Sequence, residues 1–159
     1  MLIPIWQRLL GVLVYLLPWS DAIQFGGIGQ GGLLDQFTAL RWLFLPALPL
    51  LSVKMIIPLG LGNLLIFFVL FLAVVRNPNV PYFLRFNTLQ ALLVDIGIYL
   101  LSLAFLILNT VQGTLIIRTL NSMILIAVLA ITVFAVIECL QGREPDLPGI
   151  SEATRMQLY

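Results

Sequence analysis

Between Asp95 and Glu138 the chain carries a single charged side chain, Arg118. Residues 96–117 and 119–137 are each free of charge, and at 1.5 Å rise per residue each could form a helix about 30 Å long. Water is a poor solvent for two such runs. The remainder agrees: 61% of the 159 residues are hydrophobic and 9% charged, against roughly 25% charged in a soluble domain. Mean hydropathy is +1.10. A soluble fold of this size would still expose roughly 30% of its unfolded surface, with too few charges to cover it. The sequence reads as an all-α integral membrane protein whose first partner is the lipid bilayer.

Both uncharged windows cannot be spans as they stand, because no turn would separate them. The turn signal is NTVQGT, residues 109–114, with Gly113 suited to a tight reversal. One span is therefore expected over about 82–108, with Asp95 in its middle, and the next over about 114–140. A further span over about 56–76 is fenced by Lys54 and Arg76, with Pro58, Gly60 and Gly62 near its start. The first span, about 5–22, is short and contains Arg8, which can snorkel along its aliphatic stem. Trp6, Tyr15 and Trp19 suit interfacial positions.

The Gly-rich piece SDAIQFGGIGQGGLLDQ has no Gly-Lys-Ser/Thr and reads as a connector, not a phosphate loop. Residues 37–53 are apolar but carry Arg41, Pro46 and Pro49. They suit an interfacial or re-entrant helix between spans one and two, with a fifth full span as the competing reading. Residues 141–159 form a soluble-looking tail of the single membrane domain. Gly142 and two prolines stop the last span, and Ser151 is placed to cap a final helical turn.

Four spans put both termini on one face, with Arg8, Arg76, Arg85, Arg143 and Arg155. The other face holds Arg41, Lys54 and Arg118. The excess assigns the termini to the inside, cytoplasmic or stromal. The N-terminus MLIPIWQRLL has neither a signal-peptide nor a transit-peptide pattern.

Several function classes drop out. A net charge of +1 offers no polycationic surface for nucleic acid. There is no His, and Cys139 is the single cysteine, which argues against a metal cage, a disulfide and a Ser-His type of triad. Cys139 reads as a small hydrophobe. No cofactor motif and no convergent acid–base pair is visible, so the chain is not read as an enzyme.

The polar residues that remain cluster on the third span. With Arg85 as origin on a helical wheel, Asn87, Asn109, Ser102, Asp95, Thr88 and Tyr99 share a stripe about 120° wide, with Gln90 off it. A charged Asp near the bilayer centre costs about 2.5–3.5 kcal/mol, so Asp95 should face helices, a water-filled cavity or a basic partner. Arg118 is the nearest candidate in the same hairpin, though shallower. Arg85, Asn87, Gln90, Asp95, Tyr99, Ser102 and Arg118 are the candidate site: a translocation path, or helix–helix contacts of the kind that glue membrane bundles. Residue types alone leave both readings open.

The stretch VVRNPNVPYFLRFNTLQALLVDI resembles the signature of the 20-kDa subunit family of the TIC translocon, at the inner envelope of chloroplasts. Its V-V-R-N, R-F-N, Q-A and L-x-D-I series stands at residues 74–96. The ending ECLQGREPDLPGISEATRMQL and the opening RLLGVLVYLLPWSDAIQFG are similar to the family's as well. The resemblance implies four transmembrane helices, other translocon subunits as partners, preproteins as possible substrates and an oligomeric assembly. With no transit peptide, the chain is similar to cyanobacterial or plastid-encoded members, in a plasma, thylakoid or inner envelope membrane. A structural or assembly subunit without conduction is the alternative. A small solute or ion transporter is a third reading, for which only the Pro58–Gly62 interruption speaks.

Overall fold

A computed structural model describes residues 3–28, 32–56, 61–107 and 115–158. All regular structure among them is helical: α1 (Ile5–Val14), α2 (Leu16–Ala22), α3 (Leu33–Gln36), a 3-10 stretch over Thr38–Ala47, α4 (Leu48–Ile56), α5 (Leu61–Leu70), α6 (Tyr82–Ile107), α7 (Leu115–Gln141) and α8 (Ile150–Leu158). Four runs are long and apolar enough to cross a bilayer: Ile5–Gly26, Thr38–Ile56, Tyr82–Phe105 and Leu115–Gln141. A shorter apolar helix covers Leu61–Val75. The expected reversal at 109–114, with Asn109, Gly113 and Thr114, lies outside the described residues, as do Pro58 and Gly60.

Local chemistry explains the breaks. Pro18 has no N–H for the carbonyl of Val14, and its ring crowds that carbonyl. The first span therefore splits at Tyr15, whose N–H turns back to the Val12 carbonyl at 3.1 Å. Pro46 and Pro49 act similarly, and residues 38–47 wind in the tighter 3-10 form instead of a continuous α-helix. At Phe71–Val75 the helix after α5 widens to π geometry, closed by the Arg76 N–H on the Phe71 carbonyl at 2.9 Å.

Contacts set the topology. Gly11 faces Phe83, Asn87 and Cys139. One turn on, Tyr15 reaches Asn87 and Gln90 and packs in one cluster with Ala135 and Cys139. Residue numbers on α1 rise with those on α6 and fall against those on α7. The first span is therefore parallel to α6, antiparallel to α7, and packed against both. The starts of α1 and α6 and the end of α7 share one end of the bundle. There Arg8 donates to the carbonyls of Ile3 (2.9 Å) and Leu140 (3.2 Å). Its charge meets the negative end of α7, where the sequence suggested only snorkelling.

The segment between spans one and two does not run alongside the first span. Leu43 accepts from Trp19 Nε1 at 3.0 Å, Leu50 packs with Leu17, and Lys54 reaches Ser20 and Asp21. Residues 43–54 thus touch residues 17–21, a rise of about 6 Å. The chain then doubles back, because a Cβ on Gly62 would stand 2.5 Å from the Lys54 carbonyl oxygen.

Exposed apolar side chains cover the outside: Leu64, Phe68 and Leu72 after the reversal, Leu100 and Ile107 on α6, Met123, Ile126 and Phe134 on α7. Such a surface suits lipid. The tail, where one helical turn was expected, is the nine-residue α8, packed against α6.

Gly62→Ala should push α4 and α5 apart and destabilise the protein by about 1–3 kcal/mol, the usual cost of overpacking. Gly97, whose added Cβ would meet nothing within 4 Å, is the control. Gly97→Ala should be neutral or stabilising by up to about 1 kcal/mol. Reversible unfolding in mixed detergent micelles would compare the two.

Candidate functional site

Two polar layers lie inside the bundle. The first is near the end that holds both termini. Tyr15, presented by the break at Pro18, sits 2.7 Å from Gln90 Oε1 and 3.3 Å from Asn87 Oδ1. One hydroxyl proton serves one acceptor, and the shorter distance assigns it to Gln90. Asn87 Oδ1 accepts from Cys139 Sγ at 2.9 Å, and its Nδ2 donates to the Phe83 carbonyl at 2.7 Å. Gln90 Nε2 spends its two protons on the Pro145 carbonyl (3.1 Å) and Ser151 Oγ (2.8 Å). Ser151 Oγ donates to Pro145 and accepts the Leu147 N–H at 2.7 Å. Tyr15, Asn87, Gln90 and Ser151 are all fully buried. This layer ties α1, α6, α7 and the tail together. It holds no nucleophile beside a base, so it is a staple and not a reactive centre.

The second layer lies at mid-span. Asp95 is thirteen residues after Tyr82 and twelve before Ile107, about 20 and 18 Å from the ends of α6. Asp21 accepts from Lys54 Nζ at 2.5 Å and from Asn63 Nδ2 at 3.1 Å, and Lys54 also donates to Ser20 Oγ at 2.9 Å. The Asp95 carboxyl meets that of Asp21 within hydrogen-bond reach, beside the Lys54 charge, and both carboxyls line a cavity of about 270 Å³ with Asn63, Phe67 and Tyr99. Asp95 is 8% exposed, and its Oδ1 is buried without a hydrogen-bond partner. Among the described residues no group of three or more His, Cys, Asp or Glu is placed to hold a metal.

The candidate residues separate accordingly. Asn87 and Gln90 belong to the staple and Asp95 and Tyr99 to the cavity. Arg85 closes the helix end before α6, its Nε donating to the Val75 carbonyl at 2.9 Å. Ser102 satisfies itself on the Tyr99 carbonyl at 2.7 Å. Arg118 is exposed near the start of α7, and among the described residues no ion pair joins it to Asp95. Gly11 faces Cys139 on the antiparallel α7, so ten residues further on the level of Asp21 falls near residue 129 of α7. Arg118 lies about 16 Å beyond it. The counter-charge beside Asp95 comes instead from across the bundle, at Lys54.

The single-stripe expectation for α6 needs correction. Residues 86–92 are buried all the way round, so the first half of the helix has no outward face for a stripe to avoid. Gln90, off the stripe, makes three of the staple's bonds. Asp21 and Asn63 were not singled out from sequence, Lys54 was read only as the fence of a span, and Tyr15, expected at the interface, is instead buried in the staple. For Asp21 and Lys54 a signal existed: two opposite charges flanking the connector of a chain that carries few charges. Cys139 is buried as expected, but it is a hydrogen-bond donor to Asn87. Ser151 is inside α8 and holds the tail instead of capping it.

Gln90→Leu would remove three hydrogen bonds, leaving Tyr15 only the longer contact to Asn87 and the Pro145–Ser151 turn only its internal bonds, at about 0.5–1.5 kcal/mol for each bond lost. Hydrogen exchange of the α8 amides should quicken while the outer turns of α7 keep their protection. Equal quickening in both would mean the staple is not what holds the tail.

Comparison with known proteins agrees with this architecture. The chain is 37% identical to a Tic20 family protein of Synechocystis over 96% of its own length and 92% of that protein's. It is 29% identical to Protein TIC 20-v, chloroplastic, of Arabidopsis thaliana, over 96% of this chain and 71% of that one. Against Protein TIC 20-II, chloroplastic, from the same plant, the figures are 28%, 98% and 74%. The family described as chloroplast import apparatus Tic20-like matches residues 4–154. A four-span, all-helical membrane protein, this chain belongs to the Tic20 family.

Proposed function

We propose that this chain is a membrane subunit of a protein-translocation complex of the cyanobacterial or plastid type. The observation that carries the reading is the family relation over residues 4–154. The relatives named for chloroplasts and the cyanobacterial family protein extend it to both settings.

The geometry bears on how such a subunit would work. Tyr15, Phe25, Leu92 and Leu125 are buried in the clusters where the first span meets α6 and α7. That interior is filled with side chains, so a conduit for a polypeptide has to run along the outside of this core. It would be shared with further copies or other subunits.

The four spans are Ile5–Gly26, the helix ending at Val75, α6 and α7. The first span and α6 run parallel, so the chain between them makes an odd number of crossings. Thr38–Ile56 is long enough to cross, but a second crossing there would reverse α6. Residues 37–53 are the re-entrant element. Both termini then share a face with Arg8, Arg76, Arg85, Arg143 and Arg155. The opposite face keeps Arg41 and Arg118, because Lys54 is buried on Asp21. That excess supports reading the termini as inside.

A cysteine at Asn79 should react with an impermeant maleimide from the inside only, and one at Gln36 from the outside only. Function is tested with a precursor arrested during transport in intact membranes. Photoreactive groups on the outer faces of α5 and α6 should crosslink to it. If no position captures the precursor while the complex assembles normally, the chain is a structural subunit. If the purified single chain alone moves polypeptide across liposomes, the shared conduit is wrong.

A further inference from the structure

We infer that the cavity at Asp95 is a docking site for a basic side chain on a membrane-embedded partner helix. The inference rests on the reading of this chain as a subunit of a membrane complex. It does not depend on conduction.

Three charged groups meet at this depth, and two of them are matched. Asp21 is held by Lys54 and Asn63, and Lys54 by Asp21 and Ser20. Asp95 is the surplus: one more carboxylate than there are cations, with Oδ1 buried and unpartnered in the cavity wall. A polar atom in hydrocarbon is costly to leave unmade, and a carboxylate more so. One additional positive charge completes the layer.

The direction of entry says what carries that charge. Three residues of the cavity wall, Leu64, Ile96 and Tyr99, are 55%, 38% and 56% exposed, and all lie on spans, away from the ends of α6. The cavity therefore opens sideways, toward lipid or a neighbouring helix, between α5 and α6. A hydrated ion has no aqueous route to such an opening. Of the oxygens in the wall, those of Asp21 are already committed to Lys54 and Asn63, which leaves the Asp95 carboxylate as the open acceptor. A Lys or Arg carried within a transmembrane helix reaches this depth by the insertion of the helix itself, its apolar stem lying against Phe67 and Ile96. The volume of about 270 Å³ has room for the end of a long basic side chain. This chain's own cations on the far half do not serve: Arg41 is paired with Asp35, and Arg118 is about 16 Å from that level, so a second copy would not present it in register.

The test uses the full chain in intact membranes, with a benzophenone amino acid in place of Tyr99 at the exposed lip. The expected product is a crosslink to one membrane protein, at a peptide within an apolar segment that contains Lys or Arg. Asp95→Asn should lower capture by roughly tenfold or more, and Asp95→Glu should preserve it. Neutralising the partner's basic residue should lower capture by the same factor, with no further loss in the Asp95→Asn background. That partner-side change leaves this chain intact, so a folding defect in Asp95→Asn does not decide the result. Capture that ignores Asp95→Asn, a crosslinked segment without a basic residue, or adducts to lipid alone would each overturn the docking site. Loss of the docking site with precursor crosslinks preserved elsewhere would leave the translocation reading standing.

Discussion

An ammonium group does not stay in hydrocarbon alone, and the path of this chain follows from how Lys54 avoids doing so. Its pairing with Asp21 and Ser20 draws the connector between the first two spans down into the bundle. With Lys54 at that level, the chain has to reverse at the depth of Asp21, and Gly62 is the residue small enough to let it pass. The helix that follows returns to the end where α6 begins. The parallel relation of the first span and α6, and hence both polar layers, depends on that one buried ion pair. Its worth is conformational more than energetic, because desolvation of two charges offsets much of their attraction.

The two layers solve different problems. The staple gives each of its buried polar side chains a partner within the chain, so it fixes geometry and asks nothing of a partner. The mid-span layer is left one charge out of balance. Membrane helices commonly carry polar residues as glue, at about 0.6 kcal/mol per contact, and the staple fits that description. Asp95 does not, because a carboxylate oxygen without a partner gains nothing from its position in an isolated subunit.

Much of the fold could be read in advance, because in a membrane it follows from length and charge. The spans expected over 82–108 and 114–140 correspond to Tyr82–Ile107 and Leu115–Gln141, since charge and turn residues bound them. The depth of Asp95 and its need for company were legible for the same reason. Its neighbours were not. Helical-wheel reasoning assumes a lipid face and a protein face, and the first half of α6 has protein on all sides. Within a single hairpin Arg118 was the nearest cation. The true neighbour, Lys54, lies 41 positions earlier in sequence, and only a doubled-back connector brings it there. Ser151 read as a cap because local spacing favours that role, but Gln90 competes for its hydroxyl from another helix.

The staple also has a bearing on the order in which the molecule can be completed. Gln90 belongs to the third span, whereas Pro145 and Ser151 follow the last one and are made after it. Until they arrive, the amide of Gln90 has nothing to give its protons to, and the interface between the first span and α6 stays partly open. Closure of the bundle core is thereby tied to synthesis of the segment that follows α7. A chain that stopped short of residue 145 could carry all four spans and still lack the latch that makes them one body.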